Sequence, residues 1–279
     1  MRFLRSLLLA VGVALLCAAP ASAQGQLKVL VLTKTTGTPH ASQDAGYTAL
    51  QEIGAANNLT VERSTDAAQF TEGKLAEYAA VVFLSTNGDV LSAEQEAAFQ
   101  GYIRGGGGFL GIHDAARLET GSSWFTQLVG ARPNAGSPTA TQQAVVEIQD
   151  KSHPAGKDMP TEWTVTDEWF NWAPNPAGNV HVVANLRERS YADTGTGANG
   201  WEHPFSWCRD YDGGRSFYTG VGHRPETFAD ADFRKHLLGA LRWTTGAARG
   251  KVVRQTMISG TVSRKMALQD TWSTSQPPA

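Results

Sequence analysis

The chain has 279 residues, 41% of them hydrophobic and 18% charged, with a formal charge of −2. That is too apolar for an intrinsically disordered chain, and 29 Gly with 12 Pro is too few for a fibrous one. The slightly acidic balance also lacks the basic surplus expected of a nucleic-acid partner or of a protein held on an anionic membrane surface.

Residues 1–23 read as a secretory leader. Arg2 and Arg5 make a positive start, Leu7 to Ala19 an apolar stretch, and Ala21-Ser22-Ala23 a small-residue cleavage site before Gln24. Cys17 falls inside that leader, and Leu16 before it does not suit a lipoprotein signal. The cleaved protein would keep Cys208 alone and could form no internal disulfide. No other apolar stretch approaches the ~18 residues that span a bilayer. The expectation is a secreted or periplasmic protein, with one domain over residues 24–249 and a weakly periodic tail over 250–279.

The elements follow in order. Leu27 to Leu32 is an apolar run of the kind found in a strand covered on both faces. A helix is predicted over 43–57, with Ala45, Ala49, Leu50 and Ile53 at helical spacing, and a second strand over Leu59 to Arg63. Thr71 can cap a short helix reaching Tyr78, and Ala79 to Leu84 is a third strand. Ser92 and Gln95 form a capping box for a helix carrying Phe99 and Ile103, which stops at Gly105 to Gly108. Phe109 to Ile112 is the fourth strand. This alternation predicts an α/β fold, a flavodoxin-like doubly wound parallel sheet.

After about residue 130 the pattern becomes β-rich. Strands are expected over Ala144 to Ile148, Trp163 to Trp172, Val180 to Leu186, Phe205 to Arg209 and Ser216 to Thr219, with a hairpin turn at Asp212-Gly213-Gly214. A last helix is predicted over 229–245 from Phe233, Leu237 and Leu241, with Gly246 as its cap.

In an open parallel sheet ligands bind beyond the carboxyl ends of the strands. His40, His113 and His223 each follow a predicted strand there, and Asn87 follows the third strand to the same edge. A single loop histidine is usually only a loop residue. Three on one rim point to acid–base chemistry. Asp167 and Glu168 lie between aromatics on a predicted strand and would face opposite sides of it. One reading pairs one of them with Arg209 or Arg215. The other puts a carboxylate in an aromatic-lined cleft, where desolvation would raise its pKa toward general-acid use. Trp163, Trp169, Trp172, Trp201 and Trp207 crowd this region, equally suited to a sugar platform and to a hydrophobic core. Four histidines draw plainer readings: His181 within a strand, His236 on the last helix, His153 before Pro154, and His203 opening a strand.

Several chemistries lack their motifs. No G-x-G-x-x-G follows the first strand, so no dinucleotide is expected. Zinc would use His40, His113 and His223, but no H-E-x-x-H or paired-cysteine spacing accompanies them, and no metal or other cofactor is expected. The strand-to-helix elbow of a serine hydrolase has His113 where the nucleophile would stand.

Four segments then carry a resemblance: Gly108-Phe-Leu-Gly-Ile-His113, Thr166-Asp-Glu-Trp-Phe170, His203-Pro-Phe-Ser-Trp207 and Gly214-Arg-Ser-Phe-Tyr-Thr-Gly-Val-Gly-His223. Their order and spacing resemble the ThuA-like (trehalose-utilisation) family over about residues 27–246. The resemblance implies a class I glutamine amidotransferase-like fold and a link to carbohydrate catabolism, including 3-keto sugars derived from disaccharides. It supports His40, His113, Asp167, Glu168 and His223 as catalytic candidates. Trp169, Asn171, His203, Trp207, Asn87 and Asp114 are the candidate substrate contacts. Two departures stand out. Asp114 follows the elbow histidine at once, and no cysteine nucleophile occupies the elbow, because Cys208 lies on another strand. The expectation is an exported enzyme acting on a glycoside or keto-sugar with histidine and carboxylate groups. The alternatives are a secreted carbohydrate-binding domain and a metal-dependent hydrolase.

Overall fold

The computed structural model describes residues 26–250. The leader, Cys17, its cleavage site and the tail beyond Gly250 lie outside the described residues. The first half alternates as its patterning requires: β1 (Leu27–Leu32), α1 (Gln43–Ala55), β2 (Leu59–Ser64), α2 (Glu72–Leu75), β3 (Ala80–Leu84), α3 (Ala93–Arg104) and β4 (Gly108–Ile112). The Ser92 hydroxyl accepts from Gln95 N while the Gln95 side chain accepts from Ser92 N, so both exposed amides at the start of α3 are satisfied. The second half contains α4 (Ser123–Val129), β5 (Gln142–Ile148), α5 (Pro154–Lys157), β6 (Glu162–Asp167), β7 (His181–Arg187), β8 (Pro204–Tyr211), β9 (Gly214–Thr219) and α6 (Ala231–Thr244).

All nine strands belong to one sheet, in the order β2-β1-β3-β4-β9-β8-β7-β5-β6. The first five are parallel. The remaining pairings are antiparallel, so the β-rich segment continues the same sheet. Side-chain alternation along the central strands splits the core in two. Val29, Val31, Val82, Leu84, Leu110 and Ile112 pack with α1 and α6 on one face. Leu30, Leu32, Val81, Phe83 and Phe109 pack with α3 and α4 on the other. Each such buried side chain contributes about 1.5–3 kcal/mol, which makes a continuous apolar strand sequence and helices on both faces one requirement rather than two.

Two features of this topology position the candidate site. The strand order reverses between β1 and β3, so their following loops diverge and leave a crevice at the carboxyl edge. Four antiparallel pairings also return β6 to the direction of β9, and Asp167 therefore emerges at that same edge.

The expected strand over Trp163 to Trp172 is shorter than its patterning suggested. Pairing with β5 ends at Gln142 opposite Asp167, and the following residues leave the sheet and run across its edge. Alternation therefore does not set the direction of Glu168. Two helices escape periodicity altogether. α4 is seven residues long and α5 is four, the latter capped by His153, whose Nδ1 accepts from Ala155 N. So few turns give an apolar stripe no room to repeat.

Candidate functional site

β4 ends at Ile112, and the chain turns at once into a one-turn 3-10 segment over His113–Arg117. His113 makes that turn with φ of 50°, an uncommon value for a residue with a β-carbon. Gly222 approaches from the loop after β9 with φ of 143°, and a β-carbon there would lie 3.1 Å from that of His113. Glycine is therefore needed for the two loops to meet.

His40, His113 and His223 converge. Their ring centroids lie 5.0 to 5.2 Å apart, each pair edge-on. His113 is fully buried, and its Nδ1 donates to Gly220 O at 3.1 Å, because a carbonyl can only accept. That bond leaves Nε2 to face Glu168 Oε2 at 3.3 Å and His223 Nδ1 at 3.3 Å. His223 Nδ1 lies 3.0 Å from the same Glu168 oxygen. His40 Nε2 meets Asp114 Oδ2 at 2.9 Å, and that carboxylate also accepts from Asn87 Nδ2 and from Arg117.

The electrostatics differ from the expectation for Glu168. Burial pushes its carboxyl upward, but hydrogen bonds from His113 and His223, with the charges of His113 and Arg117, outweigh it and bring it down to about 2. It is a carboxylate, not the raised general acid anticipated from its aromatic neighbours. Asp114 behaves alike: burial raises it, yet the bond from His40 and the charges of His113 and Arg117 hold it below the usual range. His223 is raised, first by its bond to Glu168, against the opposing effect of burial. Asp167 pairs with no arginine of β9, since Arg215 donates to Thr244 O. It accepts instead from the backbone N–H groups of Glu168, Gly222 and His223 and from the Thr227 hydroxyl. Asp167 thus fixes the two residues that flank the cluster.

His40, Asn87, Asp114, Glu168 and His223 line an open cleft of about 490 Å³ with Gly37, Thr38, Gly88, Arg117 and Thr139, while His113 and Asp167 are buried behind it. A larger hollow of about 590 Å³ lies at the opposite ends of the strands, among Tyr78, Tyr102, Gly105 and Arg215, away from the histidine cluster. Arg117 is the member that sequence reasoning passed over. Its guanidinium reaches Asp114 and lies 4.3 Å from the centre of the Phe170 ring, which in turn stacks on His113. Its spacing of three residues from Asp114 on a turn at a strand end was the available signal.

Four expected substrate contacts do not reach the cleft. Trp169 donates to Gln142 O among core residues, and Trp207 donates to Val129 O, fully buried. Asn171 is buried and donates to Thr194 O, while His203 is tied to Glu188 and to Phe170 O. The N–H groups of Trp169, Trp207 and Asn171 and both ring nitrogens of His203 are thus occupied within the protein. Trp163, Trp169, Trp172 and Trp207 are core packing, and Trp201, the one strongly exposed tryptophan among the described residues, is outside the cleft lining. Asn87 and Asp114 do line it.

No curated protein matches this chain. Among solved structures it is similar to a ThuA-like protein from Bacteroides uniformis, with 24% identity, 81% of this chain and 94% of that one covered, and a TM-score of 0.67. A ThuA-like protein from Parabacteroides merdae is similar at 22% identity, with 81% and 92% covered and a TM-score of 0.65. At such identities the likeness establishes the α/β fold. The family model for trehalose utilisation, ThuA, matches residues 28–244, which span both halves of the sheet and every group of the cleft. The chain belongs to the ThuA family.

Proposed function

We propose that this protein is an exported enzyme that acts on a carbonyl-bearing carbohydrate, a keto-sugar or keto-glycoside, at the histidine cleft. The observation that carries the reading is the convergence of His40, His113, His223, Glu168 and Asp114 at the carboxyl edge of the sheet, beside the point where the strand order reverses. The family's link to trehalose utilisation supports a sugar as the ligand class. The leader-like residues 1–23 support export.

The chemistry that suits these groups is proton removal from a carbon beside a carbonyl. His40 is the base: Asp114 holds its Nε2 and leaves Nδ1 as the lone-pair nitrogen, as a carboxylate does for a catalytic imidazole. The electron pair of the broken C–H bond moves to the carbonyl oxygen. Positive charge held among His113, His223 and Glu168 would stabilise that oxygen. In this reading His113, fully buried and bound to Gly220 O, supports the charge rather than carrying the proton, and the acid–base role falls to His40. Arg117 offers donors to sugar hydroxyls at the rim. The elbow carries no thiol, and Cys208 is fully buried with its thiol pushed well above the ordinary range by burial, so glutamine amidotransfer through a thioester has no nucleophile here.

The test is a screen of glycosides and their 3-keto derivatives read by mass spectrometry, with E168Q and H40A beside the wild type. Turnover of a keto derivative, lost in both variants, is the expected result. Full turnover by E168Q, or sugar binding without any product over long incubation, overturns the reading, the latter in favour of a binding domain.

A further inference from the structure

We infer that His113 Nε2, His223 Nδ1 and Glu168 Oε2 form one face of a divalent metal site, with His40 as a fourth protein ligand. The three atoms make a nearly equilateral triangle with edges of 3.3, 3.0 and 3.3 Å. Ligand atoms of a tetrahedral centre with bonds of ~2.0–2.1 Å stand about 3.3 Å apart. An ion above this triangle would therefore be at bonding distance from all three. Ligand atoms of His40, His113 and His223 lie within 4.8 Å of one another, so His40 needs only a modest shift to complete the set.

The proton inventory points the same way. Gly220 O claims the proton on His113 Nδ1, so in a neutral ring the Nε2 lone pair faces the Glu168 carboxylate. The one proton on His223 Nδ1 must then serve two acceptors that also face each other. The His113 lone pair and the Glu168 carboxylate thus face each other with a single donor between them. A cation belongs there, either an extra proton on His113 or a metal ion.

The surroundings have the form that metal ligands need. A ligating imidazole is ordinarily oriented by its other nitrogen, which donates to a carbonyl or carboxylate. His113 has Gly220 O in that place, and His40 has Asp114. Asp167 binds the backbone of both Glu168 and His223 and so holds two ligands in register. Three imidazoles, one carboxylate and no thiolate suit a zinc-type divalent ion. The histidines come from the loops after β1, β4 and β9, which explains the missing H-E-x-x-H spacing: the site is assembled by the sheet, not by one helix. For its chemical role, the inference rests on the proposed carbonyl-sugar reading: the ion, held by His113, His223 and Glu168, would polarise the carbonyl oxygen, which on binding takes the place of His40 and frees its Nδ1 as the base.

The purified protein, stripped with chelator and dialysed, should be titrated with Zn(II) and with Co(II) alone. One tightly bound equivalent is expected, with visible Co(II) bands of a four- or five-coordinate centre. E168Q, H223A and H113A should lose stoichiometric binding, and D114N should bind about 10–100-fold more weakly through His40. H181A, at the separate His181–Asp150 pair, should bind as the wild type does. Absence of stoichiometric binding to the wild type overturns the inference, as does binding that H181A abolishes and E168Q and H223A do not. E168Q keeps the size of the side chain and H223A removes a partly exposed one, so folded variants, checked by circular dichroism, remain if H113A does not fold. Failure of the two readings is separable. Turnover by chelated protein without metal binding removes the metal and keeps the enzyme. Stoichiometric metal without turnover of any sugar does the reverse.

Discussion

The seven histidines divide between two regions of one sheet, and the division separates structural from chemical use of the same side chain. Under the antiparallel half, ring nitrogens are matched to individual partners. His203 has Glu188 on one nitrogen and Phe170 O on the other. His236 has Ala155 O and the Ser206 hydroxyl, and His153 caps α5 through one nitrogen while the other meets Cys208. At the carboxyl edge of the parallel half, nitrogens of His113 and His223 share a single Glu168 oxygen and also face each other. A core satisfies its polar groups one by one because each unmatched group costs about 1–3 kcal/mol. A cluster whose lone pairs compete is held there by the rest of the fold, and it is the place to expect a substrate or an ion.

The largest effects should separate the two regions cleanly. E168Q is expected to lower turnover about 10²–10⁴-fold, the range for loss of an acid–base or charge-holding group, with little change in urea-unfolding midpoint. Trp207→Ala, in the core, should instead cost about 3–5 kcal/mol of stability while the molecules that remain folded turn over normally. Exchange of these two outcomes would break the comparison.

Acid should expose the core histidines next. Burial depresses both His153 and His236 to about 4, with the charges of His181 and His236 adding to the effect at His153. Unfolded, each would titrate near 6.5. Between these values the unfolded chain binds more protons, so stability is full above about 6.5 and falls as pH drops toward 4, by roughly 3 kcal/mol per group. Urea-unfolding midpoints from pH 7.5 down to 4.5 measure the slope. A flat profile over that window would show that these rings are not held neutral by the fold.

Asp167 sharpens the boundary between the regions, because it lies at the end of an antiparallel strand yet anchors the cleft loop. D167N should lower turnover by up to about 10²-fold through misplacement of Glu168 and His223. Its KM should move less than kcat, and its stability should fall by about 1–3 kcal/mol. A pure stability loss with unchanged kcat would return Asp167 to the structural group. The smallest effect belongs to Trp201, 89% exposed. W201A should stay within about 0.5 kcal/mol of the wild type and leave sugar turnover unaltered. A raised KM would revive an aromatic sugar platform.

The parallel half was legible along the chain because its signals are local. Strands such as Ala80–Leu84 are apolar throughout, Ser92 and Gln95 mark the start of α3, and His40, Asn87 and His113 follow strands whose direction the alternation implies. The β-rich half hid its outcome. Trp169 and Asn171 stand directly beside Glu168 in sequence, and adjacency made them look like cleft residues. Their destinations depend on where the segment leaves β5, a long-range pairing that no local pattern records.

By itself, then, the sequence determined the α/β class, the rim of three histidines and the lack of a cysteine nucleophile at the elbow. Periodicity and residue type decide such things within a few turns of chain. Only the tertiary structure decided that Glu168 is an ionised partner of two histidines, that Asp167 serves as an anchor and that Trp169 and Trp207 belong to the core. The reason is physical: the charge of a buried carboxylate and the face of an aromatic ring are set by neighbours distant in sequence. Glu168 lies 55 positions from both His113 and His223, and the sheet alone brings the three within 3.3 Å.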